Sequence, residues 1–183
     1  MQLVRTGKVK QVYEVDDNTL EFLFTDNISV FDKTIPSQIP FKGESLCRTA
    51  AFWFQVCRKA GVRTHFTELI PPNRMRVKRV EIIEDYSKID HSTTNYLIPL
   101  EVISRHFVAG SLWDRICSKE IKVEDLGFPH DHEVKYGEKL PKTFYETTTK
   151  LEKVDRLLDR EEALKISGLT EEEMDNMFEV VAK

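Results

Sequence analysis

Two stretches of alternating side chains, 9–15 and 19–25, flank Asp16, Asp17 and Asn18, a run with turn chemistry. In the first stretch Val9, Gln11, Tyr13 and Val15 alternate with Lys10, Val12 and Glu14, and the second has the composition of a half-buried strand. An antiparallel hairpin is the expected result. Gly7 stands just before it, inside a small basic entry that runs from Arg5 to Lys10. Downstream, Leu46, Ala50, Phe54 and Cys57 recur at helical spacing, with Phe52, Trp53 and Val56 widening the face, and Gly61 is placed to end the helix. Residues 63–69 and 74–83 predict two more strands around Pro71 and Pro72. Residues 1–82 therefore predict an antiparallel β lobe with one helix, followed at 83–96 by a polar insertion or hinge without a clear period.

After Pro99 the chain changes character. Residues 100–108 are apolar and strand-like, Gly110 and Ser111 form a break, and 112–118 can start a helix. The segment 127–143 has loop composition. Asp159 with Glu162 and Thr170 with Glu173 are capping-box pairs that open two further helices. The last helix runs to Lys183 without a cap, Gly or Pro, so the larger second lobe, from residue 97, is expected to be incomplete. The net charge of −4 comes with no block of like charge, which argues against duplex nucleic acid as a partner. Arg74, Arg76, Lys78 and Arg79 read as a charged strand or rim. No apolar run approaches the roughly 18 residues that span a bilayer, and the N-terminus has no signal-peptide core. Cys47, Cys57 and Cys117 form no CxxC pair, which fits reduced thiols in a cytoplasmic protein.

The residues with the most chemical content lie in 97–111. A strand carries Arg105 toward a Gly110–Ser111 turn. The guanidinium offers a fork of donors suited to phosphate, and a glycine lets a backbone N–H and the serine hydroxyl approach an anion. An ordinary turn with Arg105 in a surface salt bridge is the competing account, and chemistry alone does not separate the two. His130 and His132 make a poor metal site by themselves. No P-loop, dinucleotide-binding glycine pattern or zinc-protease motif is present.

The spacing P-x-E-x-x-x-R-x-x-x-A-G-S, from Pro99 to Ser111, resembles the first signature of the phosphoribosylaminoimidazole-succinocarboxamide synthase (SAICAR synthetase) family. Ser104 departs from it, standing where the family has an apolar residue. Asp26 to Asp32, Ile39 to Ser45, Ala51 to Phe54 and Thr64 to Glu68 resemble the family's early segments in order, and Gly7-Lys8-Val9-Lys10 resembles its N-terminal phosphate loop. The resemblance implies a two-lobed α+β fold: an antiparallel N-terminal lobe like the small lobe of kinases, then a mixed second lobe, with ATP in the cleft between them. It implies an ATP-dependent ligase that joins L-aspartate to 5-aminoimidazole-4-carboxylate ribotide, with Mg2+ accompanying the ATP. Homo-oligomerisation is left open.

By this resemblance Lys8 and Lys10 lie over the ATP phosphates, and Arg105 and Ser111 hold the ribotide 5′-phosphate. Ser29 and Asp32 line the substrate cleft; without the family, Asp26 and Asp32 would be turn residues. Lys42, with Gly43, matches the loop before the first helix. Lys150 matches a lysine that helps bind aspartate. Asp155 falls near the family's aspartate-contacting carboxylate, but Val154 stands where the family has His and the spacing is one residue early, so a solvated position is an equal expectation. The family's second signature, D-x-K-x-E-F-G, supplies carboxylates for magnesium and a lysine near the reacting groups. Nothing in this sequence matches it, so no metal ligand is assigned and the catalytic residues are expected beyond Lys183. Two alternatives remain: a non-catalytic fragment, or a small-molecule kinase of related fold. Aspartate- and ribotide-dependent ADP release separates the kinase from the ligase.

Overall fold

The computed structural model describes residues 1–31 and 33–182, and the chain divides into two compact units, Met1–Glu81 and Ile82–Lys183. In the first, β1 (Gln2–Thr6), β2 (Lys10–Asp16), β3 (Thr19–Phe24), β6 (Phe66–Ile70) and β7 (Arg74–Lys78) form one antiparallel sheet in the order β1-β2-β3-β7-β6. The predicted hairpin is β2–β3, closed by the Asn18 N–H donating to Asp16 Oδ1 at 2.9 Å. Three strands of this unit escaped the sequence reading: β1, and the two of a separate hairpin, β4 (Asn27–Val30) with β5 (Lys33–Gln38). Alternation sorts the faces. Leu20, Phe22 and Phe24, with Met75 and Val77 beside them, pack on Cys47 and Ala51 of helix α1 (Lys42–Lys59) and on Phe66. On the opposite face the buried Glu21 carboxylate accepts from Arg74 at 2.6 Å and lies 3.6 Å from Arg76; Arg79 meets Glu14, which pairs with Leu20, at 3.0 Å. Arg74, Arg76 and Arg79 are thus answered by carboxylates on neighbouring strands.

Helix α1 forms where its period predicts, and Ala50 and Phe54 of the expected face pack against the core, but the most deeply buried stripe is a different one. Gly43, Cys47 and Ala51 face the sheet, whereas Leu46, Phe52 and Trp53 are exposed at 41%, 58% and 58%. Small residues let the helix axis approach the sheet closely, and that proximity outweighs burying the two large rings. Asp26 anchors the start of the helix, accepting from the Gly43 N–H at 2.9 Å and the Phe41 N–H at 3.3 Å, two donors that would otherwise lack helical partners. Lys42 and Gly43 are therefore the first residues of the helix rather than a loop before it.

In the second unit β8 (Leu100–Phe107), β9 (Lys139–Thr149) and β10 (Leu157–Leu158) form an antiparallel sheet in the order β10-β9-β8. Strand β9 begins inside 127–143, which the sequence reading made all loop. Its β-branched and aromatic run from Thr143 onward carries the strand. Pro141 falls where the β8–β9 ladder shifts register, a place that tolerates a missing donor. One face of the sheet packs Leu100 and Val102 against α3 (Arg160–Ser167) and α4 (Glu171–Val181). Phe144, on the other face, joins Val108, Leu112, Leu126, Phe128 and Leu140 beneath α2 (Ser111–Cys117). Thr170 and Glu173 form the full capping box of α4. Asp159 caps α3 one way only, because Glu162 turns its carboxylate to Arg156.

Residues 83–96 belong to the second unit and are tied to the end of α3. His91 Nδ1 lies 2.7 Å from the Gly168 carbonyl oxygen, and the Tyr96 hydroxyl donates to the Ser167 carbonyl at 2.5 Å. Gly168 has φ +67°, and a Cβ there would come within 2.7 Å of the Asp90 carbonyl oxygen. These bonds satisfy carbonyls that a helix C-terminus leaves open. Tyr96→Phe removes one donor and is expected to cost about 1–2 kcal/mol, measured by urea unfolding. No change would mean that water replaces the tyrosine without loss.

Candidate functional site

The second unit brings together the residues that chemistry singled out in 97–111. Arg105 and Glu146 lie on the same face of the sheet, from adjacent strands, as the register Ile103↔Glu146 and Arg105↔Phe144 requires. Arg105 Nη2 donates to Ser111 Oγ at 3.0 Å, while its Nε donates to Glu146. Arg115 donates from Nη1 to the second oxygen of that same carboxylate. Glu146 is 7% exposed. Gly110 has φ +54° and ψ −139°, a region closed to most side chains, and the space where its Cβ would sit is empty. Backbone and hydroxyl are thus approachable beside a guanidinium. Arg105 is paired with a carboxylate, as the salt-bridge account has it, and two guanidiniums share that one negative charge.

Lys150 closes the same face further along the strands, its Nζ 2.7 Å from Glu101, and Thr148 Oγ1 between these elements is buried without a hydrogen-bond partner. Asp155 is exposed on the loop after Lys150, and its charge is among those that hold the Tyr86 phenol above its usual range, after burial and Glu152. Ser104 has its own role: its hydroxyl donates to the Val181 carbonyl at the end of α4, at 3.2 Å. Sequence reasoning missed Glu146 and Arg115. Arg115 stands four residues after Ser111, one helical turn along the same face of α2, and that spacing could have found it.

In the first unit the entry Arg5–Lys10 is a tight turn between β1 and β2. The Gly7 N–H donates to the Lys10 carbonyl at 2.7 Å, and a Cβ on Gly7 would press on that oxygen at 3.1 Å. Lys10 shares a face with Val12 and Glu14, and its ammonium stands 3.9 Å from the centre of the Phe22 ring. Burial lowers its pKa, with the nearby Arg5 charge adding to the effect. Lys8 is exposed in the same turn. Ser29 is half-buried in β4, opposite Thr34. Asp32 lies outside the described residues.

His65 sits behind Lys10, edge-on to Phe54 with ring centroids 5.3 Å apart and 6.2 Å from Phe22. His65 is exposed by surface area, but the neighbouring rings partly desolvate it, and that effect first, then the Lys10 charge, lowers its pKa from the usual histidine value. Between the folded and unfolded values the unfolded chain binds the extra proton, so stability is full above about pH 6.5 and declines as pH falls through that window. His65→Phe, which keeps the ring packing, is expected to flatten the stability profile of the first unit between about pH 7 and pH 5. An unchanged slope would assign the acid sensitivity elsewhere.

These features define a class: an α+β chain in which each unit presents cations beside a glycine turn. The chain belongs to the SAICAR synthetase family, whose sequence model matches residues 3–183. It is similar to the phosphoribosylaminoimidazole-succinocarboxamide synthases of Thermoplasma acidophilum and Thermoplasma volcanium, with 49% and 50% identity over 183 residues. Each match covers all of this chain and 60% of the relative, so the chain spans about three fifths of their length. The Saccharomyces cerevisiae synthase is 34% identical over 161 residues, 83% of this chain and 51% of that protein. Among solved structures, a SAICAR synthetase (Type-2) in complex with ADP superposes with a TM-score of 0.68 at 26% identity, covering 96% of this chain and 62% of that one. SAICAR-synthase from Saccharomyces cerevisiae complexed with SAICAR gives a TM-score of 0.69 at 25% identity, covering 98% and 58%. The fold class expected from the motifs is the one found.

Magnesium, implied by the resemblance, has no matching donor set among the described residues. Among the described residues no three His, Cys, Asp or Glu side chains are grouped to hold a metal ion. Glu101 and Glu146, the carboxylates of the candidate site, are taken by Lys150 and by the two arginines. No helix of the described residues is long and apolar enough to cross a membrane.

Proposed function

We propose that this chain is the phosphate-holding part of a phosphoribosylaminoimidazole-succinocarboxamide synthase. Arg105 and Ser111 receive the 5′-phosphate of 5-aminoimidazole-4-carboxylate ribotide, and Lys8 and Lys10 receive the phosphates of ATP. In the reaction a ribotide carboxylate oxygen attacks the γ-phosphorus and ADP leaves. The aspartate amine then attacks the acyl carbon, phosphate departs and the amine loses a proton, giving the succinocarboxamide. The residues named here contribute positioning and charge neutralisation, since three polyanions must meet in one place.

The observation that carries the proposal is the Arg105–Ser111 contact at 3.0 Å beside the open, positive-φ Gly110. It is supported by the complexes of relatives with ADP and with SAICAR. Lys10 supports the nucleotide half: a partly desolvated ammonium gains from an arriving anion. Lys150 and Asp155 belong to the proposed aspartate region, where the substrate carboxylate would replace Glu101 as the partner of Lys150. Ser29, Asp32 and Lys42 remain proposed lining of the substrate region.

A crossed titration tests the assignment. Lys8→Ala/Lys10→Ala is expected to weaken ADP binding about tenfold or more and leave the ribotide nearly unchanged. Arg105→Ala is expected to do the reverse. If each variant weakens the other ligand, the two phosphate sites have been exchanged.

A further inference from the structure

The anion site proposed above leaves unexplained why a carboxylate is buried inside it. A negative charge beside a phosphate site repels the ligand, so a residue with no other part to play would be disfavoured there. Glu146 is nevertheless 7% exposed and reaches Arg105 with one oxygen and Arg115 with the other. The side chains of both arginines are about one fifth exposed, at 20% and 19%. Arg105 also contacts Ser111, and Ser111 sits one helical turn from Arg115 on α2. The four residues form a closed ring: hydroxyl, guanidinium, carboxylate, guanidinium, and back through the helix.

We propose that Glu146 is a positioning residue which holds Arg105 and Arg115 as a pair, and that Arg115 is the second cation of the site. The inference rests on the phosphate assignment of Arg105 and Ser111. Arginine side chains lose much rotamer freedom when they grip a ligand. Here the carboxylate has fixed both forks in advance while using only one N–H from each. The ring keeps a net charge of one positive unit, and further N–H groups on each guanidinium face no part of Glu146. Such a pair suits the dianion of a phosphate monoester, which offers three oxygens to two forks.

The two accounts of Glu146 predict opposite signs. If it were only a nearby negative charge, Glu146→Gln would tighten anion binding. As a positioning residue its loss weakens binding, because the amide can accept from one guanidinium but presents donors to the other. Ribose 5-phosphate titrated calorimetrically into the 183-residue chain is the probe. About a tenfold weakening is expected for Glu146→Gln, with Glu146→Asp, which keeps the charge on a shorter arm, between it and the parent. Because Glu146→Gln leaves two guanidiniums facing each other, Arg115→Ala/Glu146→Gln is the companion: it removes the stranded charge and is expected to regain thermal stability while staying weak. Recovery of full affinity in that double variant, or tighter binding in Glu146→Gln, overturns the inference and leaves the Arg105 assignment intact. If Arg105→Ala binds ribose 5-phosphate as well as the parent, the underlying phosphate assignment fails instead.

Discussion

Gly43→Ala is expected to destabilise the first unit by about 3 kcal/mol or more, the largest stability effect anticipated from any single methyl in this chain. Gly43 is the second residue of α1, and the Cβ it lacks would fall 2.4 Å from the Phe24 carbonyl oxygen and 2.8 Å from its carbon. Those are backbone atoms of a central strand, so no side chain can swing aside. The same carbonyl accepts from Asn73 Nδ2 at 2.8 Å, and the Gly43 N–H is held by Asp26. Displacing the helix would therefore break contacts on three segments at once. Lys42→Ala, one residue earlier and only half-buried, is the control and should change stability by less than about 0.5 kcal/mol. Chemical denaturation followed by circular dichroism reads both. Equal midpoints for the two variants would mean that α1 can lift from the sheet at little cost.

Gly43 also marks where the sequence stopped being legible. The helical period between 44 and 60 located α1 correctly and put Ala50 and Phe54 on the core side, but it also placed the exposed Leu46, Phe52 and Trp53 there. Burial was decided by how near the helix could come to Phe24, a non-local constraint carried by Gly43, Cys47 and Ala51. Strand β9 was missed for a related reason. Its first residues, Lys139 to Lys142, offer one apolar side chain, Leu140, beside Pro141 and two lysines, too little to signal a strand, and they meet β8 across a register shift. Local turn and cap chemistry was more transparent: Asp16 with Asn18 closes a hairpin, and Thr170 with Glu173 caps α4. The candidate site was half legible. Arg105, Gly110 and Ser111 stand close in sequence and could be read as a motif, whereas Glu146 joins them from 41 residues away through strand pairing alone. Asp26 was legible as a turn residue but not as the carboxylate that holds the Gly43 N–H, 17 residues later, at the start of a helix.

Phosphate recognition by Arg105 and Ser111, as proposed, carries the largest effect on binding expected among the described residues. A charge-assisted, forked contact to a phosphate contributes on the order of 2–3 kcal/mol or more when water is partly excluded, and Arg105 is only one-fifth exposed. The direct measurement compares 5-aminoimidazole-4-carboxylate ribotide with the same nucleoside lacking its 5′-phosphate, each titrated calorimetrically into the parent chain and into Arg105→Ala. The prediction is that the parent prefers the ribotide by about a hundredfold, and that Arg105→Ala reduces this preference to within a few-fold without changing affinity for the nucleoside. A parent chain that binds both ligands equally, or an Arg105→Ala variant that retains the full preference, would contradict it.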